Sequence, residues 1–235
     1  DKLAKQQELE ISEYQSRAQE IIFTATNESS DLDKHIYTME EALLESFEAY
    51  LNRKEKKVDV GLQTGFMSLD NLIGGFKKGH LNVIAASTSM GKTAFAINIA
   101  KNVLKRNEKT AIISLEMEAQ EIVDRMIIQE AKVNGWKYNQ GETTDEEDKR
   151  ISKALDDLHE FPLAISDERG LNVAQIRARL RKFKAQMDGL SLVIIDYLQM
   201  IQLPEEHAQN TARAVGEIVL QLRNLASELE VPIVL

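Results

Sequence analysis

Residues suited to binding phosphate are grouped in one short segment of the chain. After the apolar run Leu81–Ala85 the segment reads Ala86-Ser87-Thr88-Ser89-Met90-Gly91-Lys92-Thr93. The backbone amides of such a loop can surround the β- and γ-phosphates of a nucleotide, Lys92 adds a positive charge, and the Thr93 hydroxyl can bind Mg²⁺ at a helix N-terminus. The sequence therefore predicts a site for ATP and Mg²⁺ at residues 87–93, followed by a helix over 94–104.

The first position of this loop departs from the usual pattern, which has Gly where this chain has Ala86. A methyl group is the smallest side chain that could replace hydrogen, so we expect Ala86 to be tolerated provided that its φ stays negative. The apolar run before the loop, the helical pattern after it and an acidic strand downstream give the motif its expected context.

Two acidic residues follow apolar runs elsewhere in the chain. Asp196 ends the run Leu192–Ile195, where a carboxylate would hold Mg²⁺ opposite the Thr93 hydroxyl, usually through water. Glu116 follows the run Ala111–Leu115 and could activate the attacking water. An acid separate from the metal ligand suits this task, because a general base must not be neutralised by metal ligation. From the residues alone, Asp196 could instead cap the next turn, and Glu116 could be an acid favoured at a helix start.

Short apolar runs alternate with amphipathic helical patterns after Gly61, at residues 81–86, 111–115, 162–166, 191–196 and 231–235. Continuous apolar strands between helices indicate a parallel sheet covered on both faces. We therefore predict a doubly wound α/β domain whose ligand lies beyond the carboxyl ends of the strands.

The residues before this domain have helical character. Helical spacing runs from Leu3 to Ile22, and Thr38 and Glu41 are spaced as a capping box for a second helix. An apolar stripe on that helix must be buried against something, and it consists of Met39, Leu43, Phe47, Tyr50 and Leu51. We interpret the charged run 53–57 as a linker and place the domain boundary there, so that residues 1–57 form an all-α region and residues 58–235 form the α/β domain.

Composition restricts the class of protein. The 235 residues are 43% hydrophobic, carry a net charge of −9 and include no cysteine. We expect a soluble, cytoplasmic protein without disulfides, membrane spans or a general polyanion-binding surface, although a local basic groove for DNA is compatible with this charge. The start at Asp1 and the end in an apolar run predict a fragment of a longer protein.

Three further patterns leave their roles open. The basic segment 176–184 could bind nucleic acid, but its apolar stripe favours a helix that packs on the core with its charges in solvent. The polar stretch 202–213 could contact the nucleotide, a polymer substrate or a neighbouring subunit, or could be an ordinary loop. The histidines show no metal-ligand spacing, and they are His35, His80, His159 and His207.

Several segments together resemble, in order and spacing, the replicative DNA helicases of the DnaB family. These are Gly61–Asp70, Gly74-Gly75, Ser89–Thr93, Ser114–Met117 and Asp196–Met200. The resemblance extends from about Gly61 to the last residue. Ser87-Thr88 stands where the family commonly has Arg-Pro, a departure that would fit a divergent, phage-encoded member.

The resemblance implies a RecA-like ATPase that assembles as a homo-hexameric ring on single-stranded DNA, with a helicase loader and a primase as partners. By position, Lys92 and Thr93 would bind phosphate and Mg²⁺, Asp196 would support the metal, and Glu116 would activate water. A γ-phosphate sensor, a second DNA loop and an arginine finger would all follow Leu235. Two alternatives remain: a RecA-like recombinase or clock-type ATPase that does not unwind DNA, and an inactive assembly module.

Overall fold

Two compact units make up the chain in the computed structural model, and the division falls between Val58 and Asp59. The structure describes residues 37–54, 61–87, 90–202 and 211–235. The helix predicted over residues 3–22, the loop residues Thr88 and Ser89, and positions 203–210 of the polar stretch therefore lie outside the described residues.

Helix α1 (Met39–Lys54) is the described element of the first unit. Its predicted capping box is confirmed: the Thr38 amide and hydroxyl donate to Glu41 Oε2 over 2.7 and 2.8 Å, and the Glu41 amide donates to Thr38 Oγ1 over 3.3 Å. The hydrogen bond from the Thr38 backbone, and then that from its hydroxyl, hold the pKa of Glu41 below its usual value. The helix continues through Arg53 and Lys54, the first two residues of the predicted linker. Both residue types are good helix formers, and positive charge suits a helix C-terminus.

The apolar stripe of α1 is present but exposed. Phe47 and Tyr50 stack with ring centroids 6.2 Å apart, and 59% and 53% of their surfaces are accessible. The other members, Met39, Leu43 and Leu51, are exposed as well. Five large apolar side chains along one helix form a patch of the kind that usually marks an interaction surface.

A five-stranded parallel sheet with the order β1-β5-β4-β2-β3 forms the centre of the second unit. In chain order its elements are α2 (Met67–Ile73), β1 (Leu81–Asn82), α3 (Lys92–Leu104), β2 (Thr110–Ser114), α4 (Ala119–Ala131), α5 (Gly135–Gln140), α6 (Asp145–His159), β3 (Leu163–Ser166), α7 (Val173–Gln186), β4 (Leu192–Asp196), α8 (Thr211–Leu229) and β5 (Ile233–Val234). All five predicted strands and the predicted α/β class are confirmed. No helix in the described ranges is long and apolar enough to cross a membrane.

Successive residues of the central strands enter different cores, because side chains alternate across a sheet. On one face, Ile113 and Ile195 pack with apolar residues of α7 and α8. On the other face, Ile112 and Ile194 pack with apolar residues of α3 and α4. Covering on both faces explains why these strands are continuous apolar runs.

Residues 61–66, the entry segment, belong to the second unit and contact its body partly through an antiparallel bridge. Leu62 and Phe76 exchange both backbone hydrogen bonds, over 2.7 and 2.8 Å. The bridge brings two glycines so close that a Cβ on Gly75 would overlap the carbonyl oxygen of Gly61, and Gly75 also has a φ of +81°. Glycine is therefore required at position 75 by space as well as by backbone conformation.

The far end of α3 holds the entry segment in place. The Asp70 carboxylate accepts hydrogen bonds from the amide and hydroxyl of fully buried Thr64, over 2.7 and 2.8 Å. The Asn102 amide donates to the Thr64 carbonyl over 3.1 Å, and the Arg106 guanidinium, just past α3, donates to the Gln63 carbonyl. Asp70 and Thr64, which belong to the segment that carried the family resemblance, are therefore structural residues.

Helix α4 is fixed to α3 by an ion-pair cluster. Glu130 lies 3.2 Å from Lys101 Nζ and 2.7 Å from Lys105 Nζ. Burial acts to raise the pKa of Glu130, but hydrogen bonds and charge from Lys105 and Lys101 outweigh it and leave that pKa below its usual value. The cluster bears on the site because it fixes the position of α4, whose first residue follows Glu116 by three positions.

Candidate nucleotide-binding site

The predicted phosphate-binding loop lies between β1 and α3, at the carboxyl edge of the sheet. The Met90 amide donates to the Ser87 carbonyl over 3.3 Å, which joins the two described sides of the loop. Gly91 precedes α3 with a φ of +86°, in open space, so glycine is needed here for its backbone conformation alone. Ala86 is not among the described non-glycine residues with positive φ, which meets the condition set for its tolerance.

Thr93 and Asp196 meet across the carboxyl edge. The Thr93 hydroxyl, in the first turn of α3, donates to Asp196 Oδ2 at the end of β4 over 2.7 Å. In the described parts of the chain, no group of three or more His, Cys, Asp or Glu side chains could hold a metal. A hydroxyl and one carboxylate suit Mg²⁺, which commonly takes few protein ligands and completes its shell with water and phosphate.

Glu116 leaves the edge beside Asp196, because β2 and β4 are paired neighbours. Ser114 lies opposite Asp196 in the register, and the Leu115 amide donates to the Asp196 carbonyl over 2.8 Å. Glu116 is exposed, and its carboxylate has no hydrogen bond or ion pair with any described residue. Its carboxylate is therefore free to meet a ligand or a water molecule.

One cavity of about 660 Å³ collects the residues that the sequence singled out. It is lined by Gly91, Lys92, Thr93, Ala94, Glu116, Met117, Arg125, Asp196, Tyr197 and Gln199. The structure thus brings the predicted phosphate cation, the two predicted Mg²⁺ groups and the predicted general base to one opening.

Arg125 is a residue of this cavity that the sequence analysis missed. It is exposed on α4 and has no hydrogen bond or ion pair in the described part of the chain. A pattern that could have identified it is its position between Ile122 and Met126, which are buried on the face that α4 turns to the sheet.

A smaller cavity of about 260 Å³ adjoins the site on the β5 side. Lys92 and three consecutive residues, Tyr197, Leu198 and Gln199, contribute to its lining, and Lys92 Nζ lies 5.9 Å from the centre of the Tyr197 ring. This distance is at the outer limit for a cation–π contact. The Tyr197 ring therefore lies near the Lys92 ammonium, and both residues line both cavities.

The basic segment on α7 is engaged within the domain. Arg177 and Arg181 both pair with Glu228 of α8, and Arg179 pairs with Glu168. The Lys184 ammonium donates to the Leu229 carbonyl over 2.7 Å. These contacts favour the interpretation of α7 as a packed helix over that of a nucleic-acid surface.

Known proteins are similar to most of this chain. Residues 61–235 match the family model described as DnaB-like helicase C terminal domain. The replicative DNA helicase DnaC of Bacillus subtilis (strain 168) is 37% identical over 198 residues, which are 83% of this chain and 43% of that protein. The replicative DNA helicase DnaB of Geobacillus stearothermophilus is 42% identical over 175 residues, which are 74% of this chain and 38% of that protein.

The fold is similar to that of a solved structure of a DnaB-like replicative helicase described with its interactions with primase. The TM-score is 0.75 at 27% identity, over 93% of this chain and 55% of that chain. The chain spans less than half the length of the two curated relatives named above.

Proposed function

The chain belongs to the DnaB-like helicase C-terminal domain family, with a RecA-like α/β fold, and we propose that it is the ATP-hydrolysing motor portion of a replicative DNA helicase. The observation that supports this most directly is the convergence of Lys92, Thr93, Glu116 and Asp196 on one cavity. In this proposal the motor begins near residue 58, and residues 1–57 are the helical region that precedes it.

Each group at the cavity has a role in ATP hydrolysis. Lys92 and the amides of residues 87–93 bind the phosphates, and Arg125 adds a second positive charge from α4. Thr93 and Asp196 would hold Mg²⁺, which when bound neutralises charge that develops on the β- and γ-phosphate oxygens. Glu116 accepts the proton of the water that attacks the γ-phosphorus, because its carboxylate faces the cavity without a partner of its own.

The partners follow from family membership. We propose a cytoplasmic homo-hexamer that encircles single-stranded DNA, and primase and a helicase loader as interacting proteins. A primase interaction is described for the similar solved helicase. The nucleotide would be ATP with Mg²⁺.

The stripe of α1 supports assembly in this proposal. Burial of a large apolar side chain contributes about 1.5–3 kcal/mol before entropy losses, so the exposed stripe could supply several kcal/mol per subunit if a neighbouring copy covered it. We expect Leu43→Asp with Phe47→Asp to weaken ring formation and to leave the motor domain folded. Light scattering on the full-length protein, at fixed protein, salt and nucleotide concentrations, measures this.

The matched control for that experiment is Glu45→Lys, which changes charge on the opposite side of the same helix. It should leave assembly unchanged. An intact hexamer in the double variant would show that the stripe does not hold the ring together.

The test of the function itself is strand displacement from a forked DNA by the full-length protein with ATP and Mg²⁺. Unwinding that requires ATP hydrolysis is the expected result. ATP hydrolysis without strand separation would favour the recombinase or clock-type alternative, and the absence of hydrolysis would favour an assembly module.

A further inference from the structure

The loop that follows β3 contacts the short segment that carries Glu116. Asp167 Oδ2 accepts a hydrogen bond from the amide of Ala119, the first residue of α4, over 3.0 Å. The Arg169 guanidinium donates to the Glu116 carbonyl over 3.3 Å. Two residues of one loop therefore hold both ends of the segment Glu116–Ala119.

Strand pairing brings the two segments together. β2 and β3 are parallel neighbours, and Ile113 is aligned with Ser166. Glu116 and Asp167 therefore both leave the sheet at its carboxyl edge, on adjacent strands. The carboxylate of Asp167 also carries its charge to the N-terminus of α4, where the helix dipole and the unpaired amides favour it.

A further contact fixes the same segment from within. The Ser114 hydroxyl donates to the Met117 carbonyl over 2.7 Å and accepts from the Met117 amide over 3.1 Å. The Glu116 carboxylate itself has no partner among the described residues. Its position over the cavity is therefore set by the backbone of its segment, and that backbone is held by Ser114, Asp167 and Arg169.

We propose that Asp167 and Arg169 are positioning residues for the general base Glu116. They do not line the cavity, and they act by holding the backbone from which Glu116 reaches the attacking water. A base must lie within hydrogen-bond reach of the proton it removes, and a displacement of about 1 Å can reduce a rate by as much as about 100-fold. This inference rests on the proposed ATP hydrolysis.

The chain offers a set of matched variants. Asp167→Ala removes the acceptor for the Ala119 amide, whereas Asp167→Asn retains a side-chain oxygen that can accept it. Glu168→Ala is the control, because Glu168 is the next residue in the same loop and carries the same charge, but pairs with Arg179 on α7. Arg169→Ala removes the second contact and decides the question if Asp167→Ala does not fold.

The experiment measures kcat and KM for ATP and nucleotide affinity in the full-length protein, with and without Glu116→Gln. We expect Asp167→Ala to lower kcat by about 10–100-fold with KM and affinity nearly unchanged, and Asp167→Asn to restore most of the rate. Single-turnover hydrolysis should show no further loss when Asp167→Ala is added to Glu116→Gln, because Asp167 acts through a base that is already absent.

Three results would overturn the positioning role: an unchanged kcat in Asp167→Ala, an equal loss of kcat in Glu168→Ala, or a full additional loss on top of Glu116→Gln. Failure of the proposed function is a different outcome. If Glu116→Gln alone hydrolysed ATP at the parent rate, Glu116 would not be the base, and the positioning role would fail with it.

Discussion

Several charged side chains at the amino edge of the sheet have hydrogen-bond partners within the protein, whereas three at the carboxyl edge do not. At the amino edge, the Ser191 hydroxyl donates to Glu108 Oε2 over 2.5 Å, and the Lys109 ammonium donates to the Asp188 carbonyl over 2.6 Å. At the carboxyl edge, three charged groups have no hydrogen bond or ion pair with any described residue, and they are Lys92, Glu116 and Arg125. A charge that has no protein partner gains no stabilisation from a hydrogen bond or ion pair within the fold, and the three groups at the carboxyl edge all line one cavity, where a ligand could pair with them.

The largest effect should come from removing the cation nearest the phosphate loop. We expect Lys92→Ala to abolish nucleotide binding or hydrolysis, because the remaining backbone donors cannot replace a full positive charge among the phosphates. Fluorescent-nucleotide binding and ATP turnover in the full-length protein measure this.

Lys109→Ala is the matched control at the amino edge, where the same residue type serves only the fold. It should bind and hydrolyse ATP like the parent. Unchanged affinity together with unchanged turnover in Lys92→Ala would contradict the assignment of the loop and the comparison between the edges.

A smaller but still large effect is expected at Glu116. Glu116→Gln should retain ATP binding and lower hydrolysis by roughly 10²–10⁴-fold, the range for loss of a positioned general base. Separate measurement of affinity and kcat distinguishes this result from that of Lys92→Ala.

Asp196→Asn separates the two acids of the carboxyl edge. It should raise the Mg²⁺ concentration required for activity, because it weakens the proposed metal ligand and leaves the proposed base in place.

The Glu116→Gln prediction has its own contradicting outcome. Turnover by Glu116→Gln within about twofold of the parent would mean that the base lies elsewhere.

The smallest effect is expected at the amino edge. Ser191→Ala removes a partly buried hydrogen bond to Glu108 and should lower the free energy of unfolding by about 1 kcal/mol, equivalent to a fall in Tm of about 2–4 °C. Hydrolysis at a temperature below the transition should be unchanged. A loss of turnover at constant stability would show that the amino edge also contributes to activity.

The strands could be predicted from sequence because each is a continuous apolar run. Such runs are expected when helices cover both faces of a sheet. Residues 191–196 predicted β4 (Leu192–Asp196), including the acid at its end. The order of the strands could not be predicted, since local pattern does not state which runs become neighbours. That order places Asp196 beside Ser114, and therefore beside Glu116.

The site residues also differ in whether local sequence pattern could predict them. Lys92, Thr93, Glu116 and Asp196 belong to motifs or directly follow apolar runs, so their types and spacing predicted them. Their meeting at one cavity now supports the proposed roles.

Arg125 and Asp167 were missed, because a charge on an amphipathic helix or in a loop looks like an ordinary solvated group. Asp167 directly follows the apolar run 162–166, and this position at a strand end was the available signal.

Helix α3 has a mechanical consequence. Its first residues, Lys92 and Thr93, lie at the phosphate end, while Asn102 near its other end holds Thr64 of the entry segment. At about 1.5 Å per residue, roughly 15 Å separates Lys92 from Asn102 along a continuous helix. Because α3 is continuous, a shift of the entry segment at Thr64 and a change at the predicted phosphate loop would act on opposite ends of the same helix.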